Sequence, residues 1–368
     1  MSDLDDGDFE PLGDPSFDWS DALDHSFADL SPSTFKSSPA QYVRRRKKGT
    51  PARSLASHRT LSVEDVARMT LPQIRRLLRL LRWPDTKGRP VCPECKCDRC
   101  PEIATRKIFR CSACRYEFNV TTGTILHGLR LPIRTVIVTA FLFVVSKKGV
   151  SSMQMMEYAA TGQKTMWVLH QKFREALCHY QSNVRLSGIV EIDGMVIGGS
   201  RRKPNRGRSA PANYGWKSAT KFLLTLSQRD GPTVAVPVSG ESRREILRAV
   251  KKYVEIGSTI MCDEGSGYSF LDIYFDLLRI NHGTLYAEDG KSINRAESFH
   301  GRVWRSNKGI YHRMAHGPDF ELYLSELSFR HSFSETDTKT LWKKFLGLLL
   351  QHPPSARFTG YWQGAMSH

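Results

Sequence analysis

Helical periodicity dominates the chain between about residues 60 and 180. From Thr70 to Trp83, apolar residues recur every three or four positions, as on one face of a helix. Thr70 and Gln73 have the spacing of a capping box, in which two side chains satisfy backbone N–H groups at a helix start. Pro132–Ser146 is mostly apolar and predicts a buried helix. The apolar face of the first helix consists of Leu71, Ile74, Leu77, Leu78 and Leu81.

Two further helical patterns follow, and a Thr-Gly pair separates them. Ser151 and Gln154 are spaced to cap the first, and the second runs from about Lys164 to Cys178. Two helices that meet at a short turn are typical of a helix-turn-helix, whose second helix enters the major groove of DNA. We predict such a region over 130–180; the alternative is a helical hairpin that only packs. The residues expected to reach base edges are Gln163, Lys164 and Thr165.

After Gly188 the pattern changes to short apolar runs that are typical of strands. The first run is Ile189–Ile197, and Ser242 with Glu245 is spaced to cap a helix after the third run. The order β-β-β-α-β-α-α predicts a mixed α/β sheet with flanking helices over 186–335. The other strand-like runs are Lys221–Leu226, Thr233–Val238 and Thr259–Cys262, and the later helical segments lie near Ser269–Leu278 and Asn294–Ser306.

Charge is distributed unevenly along the 368 residues. The chain has 54 Lys and Arg against 37 Asp and Glu, which gives a formal net charge of +17. Residues 1–30 hold ten acidic side chains and no Lys or Arg, so the remainder carries +27. A body that basic repels itself unless a polyanion neutralises it, and nucleic acid is the usual partner. The alternative is a soluble basic protein without such a partner.

The N-terminal segment shows no lasting periodicity and is rich in Asp, Ser and Pro. We predict a disordered acidic tail followed by a basic run, Arg44–Lys48, over residues 1–48. The tail either binds a partner or only adds solubility, and the basic run either touches DNA or is a linker. No run of about 18 apolar residues is present, so no membrane partner is expected. Two further predicted units are a helical segment over 60–90 and a C-terminal tail over 336–368.

Six of the eight cysteines fall between Cys92 and Cys114. Cys92 and Cys95 form one C-x-x-C pair, Cys111 and Cys114 form another, and the stretch Lys96–Arg110 separates the pairs. Two residues between thiolates allow one tight turn to present both sulfurs to a single ion, and two such turns complete a tetrahedral site. We therefore predict a zinc ribbon with a structural Zn²⁺ over 91–125; a redox dithiol is the alternative.

A third C-x-x-C pair, Cys97 and Cys100, lies inside the same segment. Because Cys95 and Cys97 are too closely spaced for an ordinary knuckle, we expect this pair to be spare or a second-choice set of ligands. Cys178 and Cys262 lie far from the cluster and are expected to be ordinary buried thiols.

Carboxylates stand next to apolar patterns at three separate places. Asp193 lies inside the first predicted strand, Asp263 follows the fourth, and Glu297 lies on the Asn294 helix. A carboxylate inside a buried strand is costly unless a cation or hydrogen bonds compensate it. Two acids on neighbouring strands and one on a later helix can hold two Mg²⁺ or Mn²⁺ ions for phosphoryl transfer. Rival acids are Glu191, Glu264, Asp272, Asp276, Glu288 and Asp289.

A series of motifs over about Pro90–His331 resembles a group of bacterial insertion-sequence transposases that are related to eukaryotic Merlin elements. The motifs occur in the same order as in that group. They are the ribbon exit from Cys111 to Ile125, the turn Ser146–Ser152, the strands Glu191–Gly199 and Gly257–Asp263, the helix start Asn294–Phe299, and the tail segments Tyr311-His312 and Tyr323–Arg330.

The resemblance implies an RNase H-like DDE domain behind a zinc ribbon and a helix-turn-helix. It implies a DNA transposase that binds transposon ends, cleaves them and transfers strands into target DNA as a homodimer or higher assembly. Asp193, Asp263 and Glu297 would be the catalytic ligands of Mg²⁺ or Mn²⁺, and Asn294 and His312 would flank the site. The implied location is the nucleoid in a bacterial host or the nucleus in a eukaryotic one.

A loop after the first predicted strand is crowded with basic residues, with Pro and Gly between them. A flexible basic loop beside a nuclease site can clamp backbone phosphates. These residues are Arg201, Arg202, Lys203, Arg206 and Arg208.

Two other functions share this fold and charge. One is a catalytically inactive, transposase-derived zinc-ribbon regulator that binds DNA, and the other is an RNA-cleaving RNase H-like enzyme. Gly194 stands where the transposase family usually has an acidic residue, and this departure favours the inactive regulator. All three acids are present and a helix-turn-helix suits duplex DNA, so an active transposase is favoured.

Overall fold

The computed structural model describes residues 60–198, 221–240, 242–263, 266–280, 294–312, 314 and 318–360. The predicted acidic tail and basic run lie outside the described residues. The basic loop also lies outside them, with Arg201, Arg202, Lys203, Arg206 and Arg208. Within the described part, no helix is both long enough and apolar enough to cross a membrane.

The first two helices begin where side chains cap them. α1 (Val63–Arg68) starts after Ser62, and α2 (Leu71–Arg82) starts after Thr70. The backbone N–H of Thr70 donates to the side chain of Gln73 at 2.7 Å, and the N–H of Gln73 donates in return to the Thr70 hydroxyl. The capping box is therefore formed as predicted. The buried face of α2 consists of Ile74, Leu77, Leu78 and Leu81, whereas Leu71 in the first turn is exposed.

α2 packs against a small antiparallel sheet that follows it in the chain. The strands are β1 (Glu102–Ile103), β2 (Ile108–Arg110) and β3 (Glu117–Phe118). Trp83, at the end of α2, packs edge-on against Phe109 with 5.7 Å between the ring centroids, and it also contacts Phe118. These rings form a separate small core with three cysteines. A core of this size needs an additional cross-link to be stable.

Three more helices come next: α3 (Ile133–Val145), α4 (Ser152–Ala159) and α5 (Gln163–Ser182). The Ser151 hydroxyl accepts from the backbone N–H of Gln154 and caps α4 as predicted. Ala160 ends α4 in a left-handed conformation with φ of 47°. α5 continues beyond its predicted end at Cys178; most of it is buried, but its first three residues are exposed.

The large sheet has five strands in the order β6-β5-β4-β7-β8. β4, β5 and β6 form an antiparallel meander, and β4, β7 and β8 run parallel. This is the mixed sheet of an RNase H-like fold, as predicted. The strands are β4 (Ile189–Ile197), β5 (Lys221–Gln228), β6 (Thr233–Val238), β7 (Thr259–Asp263) and β8 (Asp276–Ile280).

The edge strand β8 was predicted as helix. The predicted helical segment Ser269–Leu278 is divided between a 3-10 helix, Ser266–Ile273, and the start of β8. β8 pairs with β7, and Asp276 lies opposite Thr259. The prediction was wrong because an apolar run of this length has no clear period, so pairing with β7 decides its conformation.

Helices cover both faces of the large sheet. They are α6 (Arg243–Tyr253), α7 (Asn294–Gly309) and α8 (Phe320–Ser332). α6 packs on the face to which Val190 and Ile192 of β4 contribute. α7 and α8 pack on the other face, together with Ile197. Because side chains alternate along a strand, Glu191 and Asp193 point towards the α7 layer.

The segment predicted as a C-terminal tail contains a further helix, α9 (Thr338–Gln351). Trp342 and Phe345 of α9 are buried in the core that α1 to α5 form, and Trp342 Nε1 donates to the carbonyl of Ile137 at 3.3 Å. α8 reaches the same core with Phe329 while other residues of α8 pack on the sheet. The C-terminal part of the chain thus closes the N-terminal helical region.

Candidate functional site

Four thiols converge beside the small sheet. The Sγ atoms of Cys92, Cys95, Cys111 and Cys114 lie within 4.8 Å of one another, and the described residues hold no other group of three or more His, Cys, Asp or Glu with ligand atoms so close. Cys92 Sγ is 3.6 Å from Cys114 Sγ, and Cys95 Sγ is 3.4 Å from Cys111 Sγ. Bonds of about 2.3 Å to a tetrahedral zinc ion separate sulfurs by roughly 3.8 Å. The thiols therefore fit one zinc ion.

Both thiol pairs sit on turns of the same construction. The N–H of Lys96 donates to the Cys92 carbonyl at 3.0 Å, and the N–H of Arg115 donates to the Cys111 carbonyl at 3.1 Å. Lys96 and Arg115 have positive φ values of 60° and 64°. Backbone N–H groups, that of Cys114 first, lower the pKa of the Cys111 thiol to about 6. The second turn therefore favours the thiolate form of Cys111, which is the form that binds metal.

The middle cysteine pair is used differently. Cys100 Sγ donates to the Cys97 carbonyl at 3.3 Å, and burial raises the pKa of the Cys100 thiol to about 12. Cys97 Sγ accepts from the N–H of Arg99. Neither sulfur belongs to the group of four. The geometry agrees with the expectation that this pair is spare.

The two predicted aspartates occupy matching positions on adjacent parallel strands. β4 and β7 keep one register along their pairing, in which Val190 lies opposite Ile260 and Glu191 lies opposite Met261. Carrying this register two residues further places Asp193 and Asp263 side by side. Parallel strands lie roughly 4.8 Å apart, and paired residues point to the same face. Both half-buried aspartates therefore lie on the face that α7 covers.

A buried glutamate fixes the start of α7 against β4. Glu191 Oε2 accepts from the N–H of Arg295 at 2.8 Å and from that of Ala296 at 3.2 Å, two groups that the first helical turn leaves without a partner. Arg229 lies 3.4 Å from Oε1. Burial raises the pKa of Glu191, and these N–H groups and Arg229 oppose the rise. Glu191 was a rival ligand in the sequence; in the structure its oxygens hold a helix.

One turn further along α7, a histidine meets the first aspartate. His300 Nδ1 lies 3.3 Å from Asp193 Oδ2, and His300 Nε2 lies 3.0 Å from the hydroxyl of Thr225 on β5. Burial lowers the pKa of His300 to about 4, so the ring is neutral near pH 7. A neutral ring donates from one nitrogen and accepts at the other. Thr225 donating to Nε2 would therefore leave Nδ1–H to orient the Asp193 carboxylate.

Glu297 lies between these two anchor points of α7. Ala296 beside it is buried, whereas Glu297 is exposed. Residues three apart are neighbours on a helix surface, so Glu297 lies one turn from His300 and hence near Asp193. The three predicted carboxylates share one side of the sheet. They are not gathered as tightly as the thiols, which form the only close ligand group in the described residues.

A buried ion network joins the predicted DNA-binding region to the same layer. Glu326 of α8 accepts from Arg174 of α5 at 2.7 Å, from Arg330 at 2.6 Å and from the hydroxyl of Tyr311. Arg330 also donates to two carbonyls at the end of α3. Burial alone would raise the carboxyl pKa, but the two arginines hold the pKa of Glu326 at about 2. The network stays charged and ties three helices together.

The other predicted site residues lie at the ends of helices. Asn294 is the exposed first residue of α7, and His312 is exposed just beyond its last turn with φ of 33°. The three residues predicted to meet base edges are exposed at the start of α5: Gln163, Lys164 and Thr165.

Sequence reasoning passed over His300, Glu326 and Arg174. His300 had one available signal, because it follows Glu297 by one helical turn. Arg174 lies inside an amphipathic helix. In such a helix, a charged residue predicts the solvent-exposed face, so the sequence gives no sign that Arg174 is buried. Only the packing of α5 on α8 shows that Arg174 and Glu326 are buried together.

Comparisons with known proteins address both halves of the molecule. Residues 72–117 match the family model described as a transposase zinc-ribbon domain, and residues 185–332 match that of an ISXO2-like transposase domain. The first match begins within α2, the helix whose Trp83 packs on the small sheet. No curated protein matches the chain.

One solved structure is titled "Crystal structure of the Mos1 mariner paired end complex with Mn". It matches with 12% sequence identity over 50% of this chain and 74% of that chain, with a TM-score of 0.18. So low a TM-score carries no argument about this chain. The family is instead shown by the two family matches together with the converging cysteines. The chain belongs to the insertion-sequence transposases that carry an N-terminal zinc ribbon and a DDE domain.

Proposed function

We propose that this chain is a catalytically active DNA transposase, which binds transposon ends and carries out metal-dependent strand cleavage and strand transfer. Asp193, Asp263 and Glu297 are its proposed catalytic carboxylates. The observation that carries this proposal is the parallel register between β4 and β7. Continued to the end of β7, this register would put the two aspartates side by side on the face of the sheet against which the glutamate-bearing helix packs.

The donor set suits Mg²⁺ or Mn²⁺. All three side chains offer oxygen atoms, which these hard ions prefer, and the exposed Glu297 can turn towards the strands. Asp193, Asp263 and Glu297 would hold a pair of such ions, whose chemistry would be to activate the attacking water or DNA 3′-hydroxyl and to stabilise the leaving oxygen. The chain's own part is to hold the carboxylates: Glu191 fixes the start of α7, and His300 orients Asp193.

The four converging cysteines are the proposed ligands of a structural zinc ion. A site closed by four thiolates has no open position for a substrate, so it stabilises the ribbon and takes no part in the chemistry. The DNA contacts proposed for the start of α5 would place a transposon end next to the layer of α7 and α8, because the network of Glu326 ties α5 to α8.

Nicking of a labelled duplex tests the catalytic proposal. The duplex carries the terminal repeat that flanks the gene, with Mg²⁺ present. We expect Asp263→Asn to lower the nicking rate about 10³-fold or more, because the loss of a ligand removes several kcal/mol of transition-state stabilisation. Asp276→Asn is the matched control, since Asp276 is an exposed acid at the start of the neighbouring strand β8; its rate should equal that of the wild type.

Unchanged nicking by Asp263→Asn would refute the assignment. Duplex binding without any nicking by the wild type, in Mg²⁺ or in Mn²⁺, would instead support the inactive regulator. Thermal unfolding of each variant shows whether a lost rate reflects a lost fold.

A further inference from the structure

The outer face of α7 carries an exposed aromatic ring in line with Glu297. Of the four tryptophans in the described part of the chain, Trp304 alone is exposed, with 44% of its surface accessible. Seven residues are close to two turns of a helix, so Trp304 lies on the same face as Glu297. Its neighbours Val303 and Ser306 are buried. The ring therefore points away from the core.

A cation lies against this ring, and a second is next to it in the sequence. Lys308 Nζ lies 4.4 Å from the centre of the Trp304 ring, and Arg305 is exposed beside it. After Glu297, α7 contains no acidic residue. An exposed aromatic ring among cations is the combination on which bases stack while their phosphates are neutralised.

The turn between α3 and α4 packs on another side of α7 and carries two exposed lysines. Arg302 of α7 donates to the carbonyl of Lys147 at 3.2 Å, and the hydroxyl of Ser306 donates to the carbonyl of Lys148 at 3.2 Å. Both lysine side chains are exposed. The backbone of this turn is thus fixed on α7 while both lysine side chains are exposed.

We propose that Trp304 stacks on an unpaired base of the DNA strand that is being cut, and that Lys308 and Arg305 contact the flanking phosphates. A rise of about 1.5 Å per residue puts Trp304 about 10.5 Å from Glu297 along the helix axis. A DNA strand advances about 3.4 Å per nucleotide. For a strand that follows the axis of α7 with the spacing it has in a duplex, the stacked base lies about three nucleotides from the phosphate at Glu297. Bases within a duplex are already stacked on each other, so the ligand is a frayed or melted end.

This inference rests on the proposed function for the position of the cut, but its test does not need cleavage. Two probes of the same sequence are compared by fluorescence anisotropy without divalent metal: a paired duplex, and one whose last roughly five nucleotides are unpaired. Wild type should bind the unpaired-end probe more tightly. Trp304→Ala should lose roughly 5- to 150-fold in affinity for that probe and little for the paired one, whereas Trp304→Phe should keep most of it.

Tyr274→Ala is the matched control. Tyr274 is also exposed and has Lys251 Nζ 4.5 Å from its ring centre, but it lies in the layer of α6 on the opposite face of the sheet. Its affinity for both probes should equal that of the wild type. A Trp304→Ala variant that keeps the preference for unpaired ends would overturn the proposal, as would an equal loss on both probes.

A 2-aminopurine base moved one nucleotide at a time locates the contact. Quenching by the wild type should peak about three nucleotides from the cut and vanish in Trp304→Ala; uniform quenching along the strand would contradict the proposal. The two hypotheses fail separately. If the wild type shows no stacking while its nicking still depends on Asp263, only the stacking proposal is rejected. If the wild type stacks the base as expected but Asp263→Asn nicks at the normal rate, only the catalytic assignment is rejected.

Discussion

The zinc ribbon and the proposed catalytic carboxylates are assembled in different ways. The thiols of the ribbon come from two turns of one short segment, from Cys92 to Cys114, and each turn is closed by its own backbone. The carboxylates come from two strands and a helix of a much longer segment, from Asp193 to Glu297. Their relative positions depend on sheet register, on Glu191 and on the packing of α7.

This difference predicts where each site is vulnerable. A site made by local turns depends on its ligands and its metal, since a small core contributes little stability on its own. A site made by long-range packing depends on residues that never touch the cation, such as those of the Glu326 network. Variants in each region should therefore affect only that region.

The largest effect is expected from Cys111→Ser. Loss of one thiolate should remove bound zinc and unfold the ribbon, because metal binding at such sites contributes about 10 kcal/mol or more to folding. Zinc content by elemental analysis and proteolysis between residues 91 and 118 measure the loss. The control Cys97→Ser should keep its zinc. Zinc loss from Cys97→Ser, or a Cys111→Ser protein with full zinc, would contradict the ligand assignment.

The next largest effect is expected from Glu326→Gln. Neutralising Glu326 leaves Arg174 and Arg330 as buried, uncompensated cations, so the free energy of unfolding of the helices and sheet should fall by about 3–5 kcal/mol. Glu321→Gln, an exposed position on the same helix, serves as control. Chemical denaturation measures both. Zinc content should not change, and zinc loss in Glu326→Gln would show that the two regions are not independent.

The same substitution should change the response to acid. The pKa of Glu326 is held at about 2 in the folded chain, below the ordinary value of 4.5. Its contribution is fully present above pH 4.5 and is lost as the pH falls towards 2. The stability of Glu326→Gln should therefore fall less steeply than that of the wild type over this window. Equal slopes would mean that Glu326 is not charged in the fold.

The smallest effect is the difference expected between two glycine variants. Gly149 and Gly128 both have positive φ, 94° and 70°, so alanine costs each about 1–2 kcal/mol. At Gly149 a Cβ would also collide with the Tyr311 hydroxyl, whereas at Gly128 nothing lies within 4 Å. Displacing Tyr311 from Glu326 should add about 1–3 kcal/mol to Gly149→Ala. Equal destabilisation of the two variants would show that Tyr311 moves aside without cost.

Much of the architecture could be predicted because local signals agreed with each other. The bounds of β4 and β6 and the caps of α2 and α4 match the predicted ones, since apolar runs and capping residues act within a few residues. β8 was predicted as helix because its leucines carry no clear period. The packing of α9 on α3 was not predicted either, because no local pattern shows that two helices far apart in the sequence are in contact.

The sequence by itself determined the cysteine pairs, the three carboxylates and the excess of positive charge, since chemical identity and close spacing are local properties. Tertiary structure decided which acids share a face. The register of β4 and β7 puts Asp193 and Asp263 on one face of the sheet, whereas Glu191, two residues from Asp193 on the same face, holds the start of α7. Roles for His300 and Glu326 also arise only in the fold, because burial and hydrogen-bond partners over long distances are set by packing.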